Sequence, residues 1–214
     1  SYGFGVDESR SPLPSGRHVA LDNVNILDLP VGESEIEINM PNDTESGTGR
    51  YLTNRGPGLH HLGLYTDDIE DDVRRLEEGG LRTVVPSTGS SQQKEGQRVA
   101  FFHPRDNQGF LLELWQDMRV NGEPEDALRG RGGGLTRIHH VGFVMADMKA
   151  ALHLFCDVYG LEVDEDISPL PNGRSGNDNV RVIDIPIGES EIEVVIPQDS
   201  GSGTARFLAS PSNS

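Results

Sequence analysis

GLHHLGLYTDDIEDDVRRLEEGG, residues 58–80, decides the fold. Its first half alternates with period two. Leu62 and Leu64 fall on one side, and His61, Gly63 and Tyr65 on the other, which is the pattern of a half-buried strand. The second half changes to helical spacing. Asp67 or Asp68 can cap a helix in which Ile69, Val73 and Leu76 share a face, and Gly79 and Gly80 stop it. RVAFFHP (98–104) and GFLLELWQ (109–116) then read as strands joined by the turn RDNQG. A second stretch, IHHVGFVMADMKAALHLFCDVYG at 138–160, repeats the plan. It has a strand over 138–145, a cap at Asp147, a helix facing inward with Met148, Ala151, Leu152 and Phe155, and a stop at Gly160. RVIDIPIG and SEIEVVIP follow as strands. Each unit is strand–helix–strand–strand–strand, which predicts an α+β protein.

The chain also contains a tandem repeat. YGFGVDESRSPLP at 2–14 matches YGLEVDEDISPLP at 159–171, and ILDLPVGESEIEINMPNDTESGTGRYL at 26–52 matches VIDIPIGESEIEVVIPQDSGSGTARFL at 182–208. The trailing copy is preceded by a strand and a helix, whereas only one serine precedes Tyr2. The expected organisation is a truncated first-type module at 1–56, a complete second-type module at 57–118, a Gly-rich linker at 119–135 and a complete first-type module at 136–214. Three pairings are open. LTNRGPG (52–58) can link the leading copy to 59–118; residues 59–118 can pair with 136–209; or 136–158 can complete the leading copy. Exchange of modules in a homodimer is a further arrangement. The direct tether of 159–209 to its own helix favours a site within 59–209.

The composition sets bounds on the partners. The net charge of −17 argues against nucleic acid, because phosphate binding calls for a basic surface. No apolar run approaches a membrane span, and nothing at the start resembles a signal peptide. Cys156 is the only cysteine, so there is no disulfide framework, and a cytoplasmic location is expected.

Strand alternation also gathers polar residues on one face. His61 points with Gly63, and His140 with Gly142. Glu113 shares a side with Leu111 and Trp115. Glu193 opposes the apolar row Ile192, Val194 and Ile196, and Glu37 does the same in the leading copy. One histidine and one glutamate per module suit a metal site of imidazole and carboxylate. The glycines beside the histidines leave room for a substrate.

These stretches resemble the vicinal oxygen chelate (glyoxalase/bleomycin resistance/dioxygenase) superfamily, whose paired βαβββ modules form a cupped mixed sheet. Residues 58–84 with 94–116 and residues 138–166 resemble its methylmalonyl-CoA epimerase branch in particular. The resemblance implies metal ligands at His61, His140, Glu113 and Glu193, with Glu37 as the alternative to Glu193. The ion would be divalent cobalt, manganese, zinc, nickel or iron. It implies a small-molecule substrate, an acyl-CoA, from which a carboxylate such as Glu113 removes the proton α to the thioester carbonyl. Where some members carry a second glutamate, this chain has Ile26 and Val182. Asp28 and Asp184 lie two residues on and point to the same face; they either substitute for that glutamate or, the favoured reading, end an edge strand. Rival readings are a glyoxalase-type lyase, an extradiol dioxygenase using His103 or His153, and a metal-free binding protein. A CoA substrate also needs basic residues for its phosphates, with Arg98, Arg105 and Arg137 as candidates.

Overall fold

The computed structural model describes residues 5–85, 97–117 and 137–210, so the segment expected as a linker, 119–135, lies outside the described residues. Within them the chain is α+β, and its strands form three sheets. The trailing sheet holds β8 (His140–Val144), β9 (Arg174–Gly176), β10 (Val180–Ile187) and β11 (Ser190–Pro197) in the order β8-β11-β10-β9. β8 runs parallel to β11, and the other pairs are antiparallel. A parallel pair needs a crossover, and the helix between β8 and β9 supplies it. That helix is α3 (Met148–Leu152), continued by a π-helical stretch over His153–Val158. Asp147 caps it by accepting from the Ala150 amide. The π turn moves the inward face from the one expected: Ala151, Leu154, Phe155, Val158 and Tyr159 are buried, and Leu152 is only half-buried.

The central segment has the same strand order. β4 (His61–Tyr65), β5 (Thr83–Val85), β6 (Gln97–Phe102) and β7 (Leu111–Asp117) lie as β4-β7-β6-β5, with α2 (Ile69–Glu78) following β4. The leading copy has β1 (Arg17–Val19), β2 (Val24–Val31) and β3 (Ser34–Pro41) in the order β1-β2-β3, antiparallel throughout. These correspond to β9, β10 and β11. The β2–β3 turn places Gly32 at φ 65, and its counterpart Gly188 is at φ 58. A two-residue hairpin requires that left-handed conformation, and glycine adopts it without a Cβ clash.

Two short helices appear where the sequence pattern gives none. α1 (Gly47–Arg55) follows β3, and α4 (Gly203–Leu208) follows β11. Glycine-rich starts hide them, but their first turns are held from a distance. Asp22 accepts from the Gly47 and Thr48 amides, and Asp178 from those of Gly203 and Thr204. Residues 52–55, read above as a link, therefore end a helix, and the chain turns at Gly56 (φ 75).

The chain divides into two compact units: Ser1–Ile69, Val85–Phe101 and Leu112–Ile138 form the first, and Glu70–Val84, Phe102–Leu111 and His139–Ser214 the second. In the second, Phe143 of β8 meets Phe155 of the helix, with ring centroids 5.4 Å apart. Ile183, Ile185, Ile192 and Val194, on the helix-facing side of the trailing sheet, are at most 2% exposed. Among the described residues, no helix is long and apolar enough to cross a membrane.

Candidate metal centre

His61 opens β4, Glu113 stands on β7 beside it, and Glu37 stands on β3. All three belong to the first unit. His61 Nε2 lies 3.2 Å from Glu113 Oε2 and 3.4 Å from Glu37 Oε2. The three side chains are only 15%, 18% and 21% exposed, so these charges interact with little water between them. Burial alone would lower the His61 pKa, but Glu113 and Glu37 outweigh it and push it up to about 10. Burial likewise pushes Glu37 up, yet His61 and Arg17 hold it below the usual carboxylate range.

Two neighbours fix this arrangement. His60 Nδ1 sits 3.2 Å from His61 Nδ1, which leaves Nε2 facing the carboxylates. Burial first, and then the charge on His61, depress the His60 pKa. Its ring meets Tyr51 edge-on at 4.9 Å, while the Tyr51 hydroxyl donates to the Leu59 carbonyl at 2.6 Å. Arg17 Nη2 donates to Glu37 Oε1 at 2.6 Å. Alternation placed His60 on the other face with no role, and gave no signal for Arg17 or Tyr51. The doublet itself was the available clue. A Cβ at Gly63 would stand 3.6 Å from Glu113 Oε2, so this glycine keeps one side of the carboxylate uncovered.

His140 and Glu193 lie in the second unit, on the adjacent strands β8 and β11. The register pairs His140 with Glu191 and Gly142 with Glu193, so these residues share a face. His139 Nδ1 is 3.0 Å from His140 Nδ1 and 3.4 Å from Glu191 Oε1. Glu193 Oε2 accepts from Arg174 at 3.1 Å. The structure thus joins His61, Glu113 and Glu37 in one unit, and places His140 beside Glu191 in the other.

Asp28 and Asp184 do not end edge strands. They sit inside the interior strands β2 and β10, opposite Glu37 and Glu193, and are 0% and 2% exposed. Arg17 grips Asp28 with two bonds (3.0 and 3.1 Å), and Arg174 grips Asp184 in the same way (2.6 and 2.8 Å). Ser11 and Ser168 donate to them from the preceding loops. Burial raises Asp28, but Arg17 and Ser11 bring it below the carboxylate range; Arg174 does so for Asp184 against a smaller burial effect. A carboxylate so firmly ionised and enclosed is a poor proton acceptor, and both aspartates anchor the loop to the sheet.

The spare histidines have local partners. His103 Nδ1 accepts from the Arg105 amide at 3.1 Å, capping the 3-10 turn at Pro104–Asp106. His153 is exposed and lies 3.1 Å from Asp157, one turn along its own helix.

Residues 3–101 match the family model of the Glyoxalase/Bleomycin resistance protein/Dioxygenase superfamily. The chain is 32% identical over 97 residues to an ethylmalonyl-CoA/methylmalonyl-CoA epimerase of Cereibacter sphaeroides, covering 44% of this chain and 69% of that protein. It is 29% identical over 110 residues to the mitochondrial methylmalonyl-CoA epimerase of Bos taurus, covering 51% of this chain and 59% of that one. Among solved structures, a mutant 4-hydroxymandelate synthase from Streptomyces coelicolor superposes with a TM-score of 0.60 at 15% identity, over 87% of this chain and 55% of that one. That likeness is one of fold. The chain belongs to the glyoxalase/bleomycin resistance protein/dioxygenase superfamily. It spans between 55% and 69% of the length of the curated relatives it matches.

Proposed function

We propose that this protein is a divalent-metal-dependent epimerase that removes the proton α to the thioester carbonyl of an acyl-CoA, with its site in the first unit. The observation that carries the reading is His61 Nε2 flanked by carboxylate oxygens at 3.2 and 3.4 Å. One imidazole nitrogen and two carboxylate oxygens are a donor set suited to a first-row divalent ion. Here the positive charge between the carboxylates is the proton on His61, which a bound ion would replace. His61, Glu113 and Glu37 would hold the ion, with His60 orienting His61 and Arg17 steadying Glu37. When bound, the ion supplies Lewis-acid stabilisation of the negative charge that develops on the substrate oxygens.

The chain's own residues do the rest. Glu113 accepts the α-proton at a carboxylate oxygen, and a second group returns one to the opposite face, as inversion at that carbon requires. Gly63 leaves the approach to that carboxylate open. Asp28 keeps Arg17 in place and takes no proton. The names of the epimerase relatives support an acyl-CoA as substrate. No observation gives the lyase, dioxygenase or binding readings comparable support, since His103 and His153 are engaged locally.

The test is protein purified without chelator, assayed for bound metal and for incorporation of solvent deuterium at the α carbon of methylmalonyl-CoA. Metal together with exchange that a chelator abolishes is the expected result. Bound metal without exchange would sink the epimerase reading.

A further inference from the structure

The face that carries His61 and Glu113 runs on along both strands into an aromatic pair. On β4 the next residues on that side are Gly63 and Tyr65, and on β7 the next is Trp115. All of them belong to the first unit. β4 and β7 are neighbours in their sheet, and the Thr66 amide donates to the Trp115 carbonyl at 2.9 Å, which fixes their register at that end. The two rings meet edge to face, with centroids 5.2 Å apart. Trp115 is half-buried, whereas Tyr65 is 64% exposed. Two residues along a strand span roughly 6–7 Å, so the rings stand one such step beyond Glu113. The fold itself does not ask for aromatic residues here. The trailing sheet has Val144 of β8 beside Val195 of β11 at the corresponding place, in the register that sets Gly142 beside Glu193. That sheet forms with two valines, so the pair at 65 and 115 adds something other than strand pairing. It adds an open aromatic surface next to the reacting groups, and such surface marks ligand contact.

We propose that Tyr65 and Trp115 form an apolar subsite for the substituent on the substrate's α carbon, and that this substituent is an aryl or branched alkyl group larger than methyl. The inference rests on the proposed reading of His61 and Glu113 as the site of α-proton removal. The α carbon must come within hydrogen-bond reach of the Glu113 carboxylate, about 3 Å. A methyl group on that carbon extends by a single bond of about 1.5 Å and stops short of the rings. A benzyl group crosses the space over Gly63, where no side chain stands in the way, and sets its ring against Tyr65 and Trp115. Aromatic rings favour the offset and edge-on contacts that such a pair offers to a third ring. A Cβ at Gly63 would stand 3.6 Å from Glu113 Oε2, so the glycine lies directly between the base and the rings. Charge divides the face in the same way. The ionised groups gather around His61, while Gly63, Tyr65 and Trp115 carry none and suit the apolar part of a substrate.

The test compares solvent deuterium exchange into methylmalonyl-CoA and benzylmalonyl-CoA, using protein purified without chelator. In the parent, kcat/KM is expected to be at least about tenfold higher for the benzyl thioester, the scale on which an apolar pocket discriminates. In Tyr65→Val with Trp115→Val that ratio is expected to fall to near one. The trailing sheet accepts valines at the same places, so this variant is expected to keep the parent circular dichroism spectrum. Tyr65→Val alone, at an exposed position, should lower the ratio in the same direction if the double variant is unstable. General damage to the site would lower both rates alike and leave the ratio unchanged. Binding is read apart from turnover by the emission of Trp115, the only tryptophan in the chain, which benzylmalonyl-CoA should perturb at lower concentration than methylmalonyl-CoA. Exchange into neither thioester would fail the epimerase reading and leave the subsite to be decided by that emission. A parent without preference for the benzyl thioester, a ratio that survives both substitutions, or an emission response equal for the two thioesters would overturn the proposal.

Discussion

The leading and trailing copies share most of their sequence from β2 to β3 and from β10 to β11, yet the same apolar row is half open in one and sealed in the other. Ile36 is 37% exposed and Ile192 is 2%. Alternation of side chains tells which face a residue takes; it does not tell whether that face has a cover. The cover is a separate element, the strand and helix at 140–158, and only the trailing copy has it among the described residues. Fully burying an isoleucine is worth roughly 1.5–3 kcal/mol, and Ile36 and Ile38, already more than half buried, gain most of that where they stand. Both copies keep the opposite face, where Arg17 or Arg174 ties a buried aspartate to a strand glutamate. Among the described residues, the leading copy brings that glutamate to a histidine of the central segment within one unit.

The largest expected difference between the copies is catalytic. Glu113→Gln or His61→Ala should lower deuterium exchange by at least about 100-fold, the lower range for losing a positioned acid–base group. His140→Ala should leave exchange within a few-fold of the parent. Equal losses from both histidine variants would erase the distinction. Core packing comes next. Ile192→Ala should cost about 2–5 kcal/mol in urea unfolding, as buried large-to-small changes do. Ile36→Ala should cost under about 1 kcal/mol, because its site is already half open. A smaller contrast concerns the buried aspartates. Arg174→Ala leaves Asp184 with Ser168 as its other side-chain partner, whereas Arg17→Ala leaves Asp28 with Ser11 and with Arg10 at 3.4 Å. The first should therefore destabilise more than the second, by about 1 kcal/mol, the size of a typical net hydrogen bond.

The smallest expected effect is at the helix caps. Asp178 is depressed by the amides of Thr204 and Gly203 at the start of α4. Its contribution is present above the ordinary carboxylate pKa and fades as pH falls through the depressed value. Asp178→Asn should therefore lower the melting temperature slightly at neutral pH and leave it unchanged in strong acid. A shift of equal size at both pH values would remove the cap as the cause.

Much of the fold was legible in the residues. Period-two runs mark β4, β7, β8 and β11, and the repeat carries the assignment from one copy to the other. The helices α1 and α4 were not legible, because their starts are glycine and threonine and their anchors, Asp22 and Asp178, lie in loops far along the chain. The π-helical turn at His153–Val158 was equally hidden, since it shifts an amphipathic pattern without breaking it. For the site, alternation singled out His61, Glu113 and Glu37 as outward-pointing polar residues. What it could not show was which strands come together: tether length favoured residues within 59–209, whereas the contact observed for His61 is with Glu37 of β3. His60 and Arg17 matter only through their geometry around His61 and Glu37, which the sequence spacing does not encode.

The most direct test of the central claim is metal stoichiometry by elemental analysis on the intact chain and two variants. The account predicts a bound divalent ion in the parent and in His140→Ala, and its loss in His61→Ala. Retention of the ion in His61→Ala, or its loss in His140→Ala alone, would contradict a metal centre built from His61, Glu113 and Glu37.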